Sequence, residues 1–302
     1  MKDKPKMANH KLIVILGPTA AGKSELAVKL AKKFNGEVIS ADSRQVYRGM
    51  DIGTGKVTKK EMKGIPHYLL DVASPKKRFT VTQYQKLSTK AIGKILKQDK
   101  IPILCGGTGF YIKVVIDGII IPKVKPDWKL RKKLAEKSIE ELFKQLKKLD
   151  PKRAKTIESK NKRRLIRALE IIFKTKKSVP SLKKSPLPYS VLIIGVKKDK
   201  EKLEKLIKKR LLKRLKQGMV AEVKRLKSSG LSWKRLEEFG LEYRQIARFL
   251  QKKINRQEMI EKLQKEIEHY AKRQMTWFKK EKRTHWVKNY KEAEKLTKEF
   301  LA

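Results

Sequence analysis

The sequence predicts an α/β fold in which a parallel sheet is flanked by helices and interrupted by an inserted helical domain. Residues 8–121 alternate short apolar runs with amphipathic stretches, a pattern typical of strand–helix–strand units. Residues 122–188 change to lysine-rich helical patterns bounded by prolines. An apolar run of strand length then returns within residues 189–302. These three observations together favour one core that the chain leaves and re-enters.

The elements of the core follow in order along the chain. Apolar runs of strand length lie at residues 12–16, 38–40, 68–72, 101–105 and 191–196. Helical spacing of apolar residues predicts helices over residues 25–34, 84–96, 203–226 and 257–282. Strands that alternate with helices are joined by crossover connections, so we expect the strands to run parallel.

The segment between the two parts of the core has a different character. Its apolar residues recur at helical spacing, for example at Leu134, Leu142, Leu146 and Leu149. We therefore expect an inserted helical domain over residues 122–188, with the core formed by residues 8–121 and 189–302.

The charge of the chain is strongly unbalanced. Its 302 residues include 79 lysines and arginines against 31 aspartates and glutamates, a formal net charge of +48. Such a charge favours a polyanionic partner, and nucleic acid is the first candidate. Because lysine occurs in nearly every polar segment, a compositional bias of the whole chain is the alternative.

Composition also bears on compartment and redox chemistry. No run approaches the roughly 20 apolar residues that span a bilayer, and the first residues are polar, so we expect a cytoplasmic protein without membrane association. The only cysteine, Cys105, can form neither an internal disulfide nor a multi-cysteine zinc site. We interpret it as a small buried apolar residue.

The strongest single motif follows the first strand. The residues Gly17-Pro18-Thr19-Ala20-Ala21-Gly22-Lys23-Ser24 match a P-loop, with a strand before them and a helix after them. In such a loop the backbone N–H groups and a lysine surround phosphate oxygens, and the serine hydroxyl can bind Mg²⁺. The motif predicts a P-loop NTPase-like sheet and a phosphorylated substrate, without deciding between a nucleoside triphosphate and another diphosphate.

Two further segments should lie at the same edge of the sheet. Asp42 follows the second strand, and the glycine cluster of residues 106–109, with Thr108, follows the fourth strand. Open α/β sheets bind ligands at the carboxyl ends of their strands. Asp42 is therefore a candidate general base or Mg²⁺ ligand, and capping of the following turn is the alternative.

These motifs, together with several others, resemble the tRNA dimethylallyltransferase (tRNA isopentenyltransferase, IPP transferase) family in the order in which that family shows them. The matching strings are GPTAAGKS, ISADSRQVYRGMDIGTGK, PHYLLDV, PILCGGTGFYIK, KRRLIRALEI, FGLEYRQI and YAKRQMTWFKK. They cover nearly the whole chain.

The resemblance implies a reaction. A dimethylallyl group would pass from dimethylallyl diphosphate to the N6 amine of the adenosine 3′-adjacent to the anticodon (position 37) in tRNAs that read UNN codons. Residues 17–24 would bind the diphosphate, and Mg²⁺ at Ser24 would help to neutralise it. The catalytic residues carried over are Asp42 as general base, Thr19, Thr108 and Arg210, of which Arg210 would bind diphosphate.

The resemblance also implies a monomeric enzyme that binds the anticodon stem-loop of tRNA. Candidate tRNA contacts, besides Asp42 and Thr108, are Ser43, Arg44, Gln45, Arg163, Arg164, Arg167, Tyr243, Arg244, Lys272, Arg273, Gln274 and Trp277. The family often has glutamine where Arg163 stands and a polar residue where Phe239 stands. The chain has no C-terminal cysteines, so we expect a short form without the zinc finger of eukaryotic relatives.

Three alternatives remain at this point. A P-loop kinase would hold Mg²⁺–ATP with Ser24 and either Asp42 or Asp71. An adenylate prenyltransferase would use a free nucleotide and would need no tRNA-binding domain. A non-catalytic nucleic-acid-binding protein would retain the P-loop as a relic. The inserted basic domain and the basic C-terminal segment argue against the first two. Intact Lys23, Ser24, Asp42 and Thr108 argue against the third.

Overall fold

The computed structural model describes residues 10–181 and 183–302, and the chain forms two compact units. The described residues up to Gly118 and Pro186–Ala302 form the first unit, and Ile119–Ser185 form the second. The sequence predicts these borders at residues 122 and 188.

A six-stranded sheet forms the centre of the first unit. Its strands are β1 (Lys11–Leu16), β2 (Gly36–Ala41), β3 (His67–Tyr68), β4 (Ile101–Gly106), β5 (Ser190–Val196) and β6 (Thr284–Val287). They are arranged in the order β3-β2-β4-β1-β5-β6, and every neighbouring pair is parallel. The predicted α/β fold with a parallel sheet is confirmed.

The register of the sheet brings three loops together. Gly106 at the end of β4 pairs with Leu16 at the end of β1 and with Ala41 at the end of β2. The segments that follow these strands are the P-loop, the Asp42 segment and the second glycine cluster. All three therefore leave the sheet at one edge, as the chain order of the motifs predicts.

Helices of the first unit cover the sheet and build a second core beside it. They are α1 (Lys23–Lys33), α2 (Lys59–Met62), α3 (Val81–Leu96) and α4 (Gly109–Ile116), and, after the second unit, α9 (Lys200–Lys216), α10 (Met219–Ser228), α11 (Trp233–Phe239), α12 (Leu241–Leu250), α13 (Arg256–Phe278) and α14 (Tyr290–Leu301). The sheet and α1 share one apolar cluster with Ala293 of α14. Buried residues of α9 to α13 form another with Val46, Tyr47 and Met50.

The structure differs from the predicted elements in three places. The strand expected over residues 68–72 is only His67–Tyr68, because Leu69 and Asp71 adopt positive φ. The helix expected over residues 203–226 is broken at Gly218, whose φ of 96° is left-handed, so it forms α9 and α10. The edge strand β6 was not predicted.

The second unit consists of four helices, α5 (Trp128–Glu136), α6 (Ile139–Leu149), α7 (Pro151–Thr156) and α8 (Lys162–Thr175), around an apolar core. Glu170 of α8 is fully buried and accepts two hydrogen bonds from Arg131 at 2.7–2.8 Å and one from the Asp127 N–H at 2.6 Å. Paired in this way, a buried carboxylate fixes the position of α5 against α8. Across the described parts of both units, no helix has the length and apolar character needed to cross a membrane.

Candidate active site

The P-loop joins β1 to α1 and carries the first group of site residues. Gly22 caps α1 with a left-handed φ of 92° and without a side-chain hydrogen bond, and the first N–H groups of a helix have no partner within it. The Lys23 ammonium donates to the Pro18 carbonyl at 2.6 Å. The pKa of Lys23 is lowered to about 8, mainly by burial; nearby Arg210 contributes in the same direction, and Asp42 opposes the shift. Lys23 is therefore a cation that an incoming anion would stabilise.

Asp42 lies where β2 ends and has the capping role that was the alternative considered for it. Its Oδ1 accepts hydrogen bonds from the N–H groups of Arg44 at 2.8 Å and Gln45 at 3.3 Å. It caps the following turn in this way, and its carboxylate lines the same pocket as Lys23 and Ser24. Both of these backbone hydrogen bonds are accepted by Oδ1. They orient the carboxylate, and Oδ2 takes part in neither of them.

The second glycine cluster lies opposite the P-loop, and Gln274 of α13 joins the two. The Gln274 amide accepts from the Thr19 N–H at 2.8 Å and donates to the Gly107 carbonyl at 2.9 Å. A Cβ at residue 107 would collide with this amide, so any larger residue there would displace the Gln274 side chain. Thr108 is tied to the Asp42 segment, because its hydroxyl accepts from the Ser43 N–H at 3.0 Å.

Arg210 of α9 supplies the second cation of the pocket. Its Nη2 donates to the Gly55 carbonyl at 3.4 Å. Burial lowers the pKa of Arg210 to about 10, and neighbouring Arg214 adds to the shift. At neutral pH both Arg210 and Lys23 remain charged, so the pocket presents two positive charges beside one carboxylate.

The complete pocket is lined by Thr19, Lys23, Ser24, Asp42, Gln45, Thr54, Cys105, Gly106, Gly107, Arg210, Tyr270 and Gln274. The four predicted catalytic residues thus lie together, because Thr108 is bonded to the Asp42 segment at the pocket edge. Thr54 and Tyr270 were missed. Tyr270 stands one helical turn before Gln274, so helical spacing could have placed both on one face.

Cys105 is buried, as the sequence predicted, and it lies against the pocket. Burial raises the pKa of the Cys105 thiol to about 12, so the group is neutral at physiological pH. Cys105 therefore lines the pocket as a neutral, apolar side chain and does not act as a nucleophile.

One predicted tRNA contact is corrected by the structure. Tyr243 is 2% exposed and its hydroxyl donates to Glu222 at 2.7 Å, so its ring belongs to the core and no RNA base can stack on it. An aromatic side chain within a basic segment resembles an RNA contact in sequence, but here core packing accounts for the residue. Gln274 is 6% exposed and lines the pocket, where its amide joins two loops, so its contact with tRNA stays a prediction.

The other predicted tRNA contacts of the first unit have accessible positions. Lys272 and Arg273 are exposed on α13, and Trp277 is half-buried against Gly109. Arg44 donates to the Phe239 carbonyl at 2.9 Å, and Arg244 donates to the Glu237 carbonyl at 3.4 Å.

Within the second unit the predicted arginines on α8 differ from one another. Arg163 and Arg164 are exposed. Arg167 is bonded to Glu170 and donates to the Val124 carbonyl at 2.9 Å, so it holds the unit together.

The residues of the pocket also bear on metal binding. Within residues 10–181 and 183–302 there is no cluster of three or more His, Cys, Asp or Glu side chains able to hold a metal ion. The pocket offers the Ser24 hydroxyl and the Asp42 carboxylate. Mg²⁺ commonly takes one or two protein ligands and completes its shell with phosphate oxygens and water. The pocket therefore fits a cation that arrives with a phosphorylated ligand.

The alternative metal ligand of a kinase, Asp71, is placed elsewhere. Its carboxylate accepts from Lys56 at 2.5 Å, and it does not line the pocket. One of the two arrangements considered for a Mg²⁺–ATP site is thereby removed.

Comparison with known proteins agrees with these features. The family described as IPP transferase matches residues 45–281. The tRNA dimethylallyltransferase of Acetivibrio thermocellus is 41% identical over 284 residues, covering 91% of each chain. That of Halothermothrix orenii is 39% identical and covers 97% of this chain and 94% of its own.

Solved structures extend the agreement to the fold. The full-length tRNA isopentenylpyrophosphate transferase of Bacillus halodurans superimposes with a TM-score of 0.74 at 35% identity, covering 97% of both chains. A eukaryotic dimethylallyltransferase acting on tRNA also gives a TM-score of 0.74, at 29% identity, over 89% of this chain and 70% of its own. The family match, the identity over nearly the whole length and the shared fold agree, and the chain belongs to the tRNA dimethylallyltransferase (IPP transferase) family.

Proposed function

We propose that this protein transfers a dimethylallyl group from dimethylallyl diphosphate to the N6 amine of the adenosine 3′-adjacent to the anticodon of tRNAs that read UNN codons. The observation that carries the proposal is one pocket in which Lys23, Ser24 and Arg210 stand beside the carboxylate of Asp42. Cations suit a diphosphate leaving group, and a carboxylate suits an amine that must lose a proton.

The diphosphate end of the donor is assigned to the P-loop. Gly22 and the start of α1 offer backbone N–H donors, and Lys23 and Arg210 add two positive charges. Negative charge grows on the diphosphate oxygen as its bond to the prenyl carbon breaks. Groups that bind this oxygen more strongly as its charge grows lower the barrier for the reaction.

The acceptor amine is assigned to the Asp42 side of the pocket. The adenine nitrogen forms a bond to the prenyl carbon while the carbon–oxygen bond to diphosphate breaks, and the proton lost from nitrogen passes to Asp42. The turn N–H groups on Oδ1 fix the carboxylate, which leaves Oδ2 to take the proton. Thr108, held at the Ser43 N–H, adds a hydroxyl at the edge of the same site.

Magnesium is part of the proposal through Ser24. When bound there together with the donor, Mg²⁺ supplies charge neutralisation for the leaving diphosphate. The residues that would hold it are Ser24 and, through the diphosphate, the P-loop backbone. Asp42 lies within the same pocket and is reserved here for proton transfer.

For the acceptor tRNA we propose contacts by exposed cations of both units. Lys272 and Arg273 of α13, and Arg163 and Arg164 of α8, are accessible and match the backbone charge of an RNA stem-loop. The target base must leave the stack of the anticodon loop to reach Asp42, as in other base-modifying enzymes. We further propose that the enzyme acts as a cytoplasmic monomer.

The proposed function is tested by giving the protein the substrates of the alternative functions in parallel reactions. The protein is incubated with Mg²⁺, labelled dimethylallyl diphosphate and either unmodified tRNA or AMP, and separately with ATP alone. We expect label on tRNA only. Label on AMP would support the free-nucleotide prenyltransferase, and ATP turnover without prenyl transfer would support a kinase.

A further inference from the structure

Glu222 is a buried carboxylate. The hydrogen bonds that it accepts come from one loop at the pocket and from a tyrosine that packs against that loop. Glu222 lies in the first turn of α10 and is completely buried. Its two oxygens accept from the N–H groups of Asp51 at 2.9 Å, Ile52 at 2.7 Å and Gly53 at 3.0 Å. The Tyr243 hydroxyl adds a fourth bond at 2.7 Å. Four donors compensate the loss of hydration, so the carboxylate can remain buried.

The segment that Glu222 holds is the loop of residues 51–55, and its carbonyl side is held by arginines. Arg214 donates to the Gly53 carbonyl at 3.3 Å, and Arg210 donates to the Gly55 carbonyl at 3.4 Å. A side chain at residue 55 would collide with both guanidinium groups, which is why glycine stands there. The loop is thus fixed from both sides, by a carboxylate on its N–H groups and by cations on its carbonyls.

The same loop contributes directly to the pocket. Thr54 lies between the residues that Glu222 and Arg210 hold, and it lines the pocket. Gln45, another lining residue, donates to the Gly55 carbonyl at 3.3 Å. A shift of the loop would therefore move Thr54 and remove the carbonyl that orients Arg210.

We propose that Glu222 is a positioning residue for diphosphate binding, acting through residues 51–55 on Thr54 and Arg210. The inference rests on the proposed function, which assigns the pocket to the diphosphate of the donor. Glu222 itself does not line the pocket, and its effect is on where the loop lies. A residue with this role should affect donor binding while leaving the tRNA surface as it is.

The test uses Glu222→Gln with Glu37→Gln as a matched control. The Gln amide replaces one acceptor oxygen by a donor, which faces the loop N–H groups or the tyrosine hydroxyl. Glu37 is also a buried carboxylate of the first unit, bonded to Tyr68 and Lys100, but it lies in β2 away from the pocket. Both changes remove a buried charge, and only one of them touches the loop.

Two readouts separate positioning from general stability. Inorganic diphosphate binding, measured by calorimetry with Mg²⁺, should weaken about tenfold or more in Glu222→Gln because oriented charge-assisted bonds are lost. Hydrogen exchange at the N–H groups of residues 51–53 should become faster in the same variant. The Michaelis constant for tRNA should change less than about twofold, as expected for a site apart from the change. Glu37→Gln should lower the melting temperature without any of these effects on the loop or the donor.

Each outcome decides the inference. Equal diphosphate affinity in wild type and Glu222→Gln, or equal loss in Glu37→Gln, would overturn it. If wild type itself binds no diphosphate, the proposed function fails instead, and the two failures are distinct. Should Glu222→Gln not fold, Glu222→Asp serves as the second variant. Its shorter carboxylate cannot reach the loop and Tyr243 together, so diphosphate affinity should again fall, and an unchanged value would overturn the inference.

Discussion

Binding of diphosphate should change the protonation of Lys23. Its ammonium donates to the Pro18 carbonyl within the P-loop, and burial lowers its pKa to about 8 from the ordinary 10.5. A bound diphosphate places negative charge beside this group and raises the pKa again. Diphosphate binding should therefore take up a proton at any pH where the free protein has lost it.

The magnitude follows from the pKa. One pH unit above a pKa of about 8, about one Lys23 in ten keeps its proton. If only that form binds well, the apparent Kd for diphosphate should be about tenfold higher there than at neutral pH. Proton uptake should approach about half a proton per site near pH 8 and about 0.9 one unit higher. At pH values well below the pKa of Lys23, the protonation of Lys23 should no longer make the Kd for diphosphate depend on pH.

Calorimetry in two buffers with different ionisation enthalpies measures this uptake. Lys23→Met is the reference, because it keeps the unbranched chain up to the ε position, removes the titrating group and leaves the titration of the ligand itself. We expect weaker binding in the variant and no uptake beyond that of the ligand. Equal proton uptake in wild type and Lys23→Met would refute the argument, as would a wild-type Kd that does not change with pH.

Three further predictions concern the pocket. Asp42→Asn should lower the rate of prenyl transfer by on the order of 10²–10⁴-fold while donor binding, measured by calorimetry, is retained, since the amide accepts no proton; an active variant would contradict the general-base assignment. Arg210→Met should weaken donor binding by about tenfold to a hundredfold, and equal affinity would remove Arg210 from the diphosphate site. Gln274→Leu leaves the Thr19 N–H and the Gly107 carbonyl without partners, so urea unfolding should show a free energy of unfolding lower by about 2–4 kcal/mol. Gln274→Glu keeps the acceptor but adds a negative charge to the pocket. It should therefore weaken diphosphate binding more than Gln274→Leu does.

Much of the site could be predicted because it depends on local sequence. The P-loop between β1 and α1 is recognisable from eight adjacent residues, and the strand pattern places Asp42 and the residue 106–109 cluster at the same sheet edge. Parallel strands end at one edge whatever their order, so the convergence of the three loops needed no knowledge of register.

What could not be predicted depends on contacts between distant parts of the chain. Glu222 is separated from Gly53 by 169 residues, and Gln274 from Thr19 by 255. Neither the helical spacing of α10 nor that of α13 indicates which loop a polar side chain will meet. Tyr243 illustrates the same limit, because burial against Glu222 and not its basic surroundings decides its role.

Some elements of the fold were missed for local reasons. Residues 284–287 form β6 as a short edge strand beside β5, and their sequence THWV has no apolar run of strand length. The break at Gly218 lies inside an otherwise continuous helical pattern, where a single glycine can either continue a helix or end it. Gly218 adopts a left-handed φ of 96° here, and α10 begins after it.

Prenyl transfer to a synthetic anticodon stem-loop tests whether the N6 amine attacks the donor within this pocket. One stem-loop carries adenosine 3′-adjacent to the anticodon, and a second carries purine riboside there, which lacks only the exocyclic amine. With Mg²⁺ and labelled dimethylallyl diphosphate, we predict label on the first stem-loop and none on the second, and with Asp42→Asn we predict labelling of the first that is slower by on the order of 10²–10⁴-fold. Equal labelling of both stem-loops would contradict attack by the N6 amine and, with it, the role assigned to the pocket.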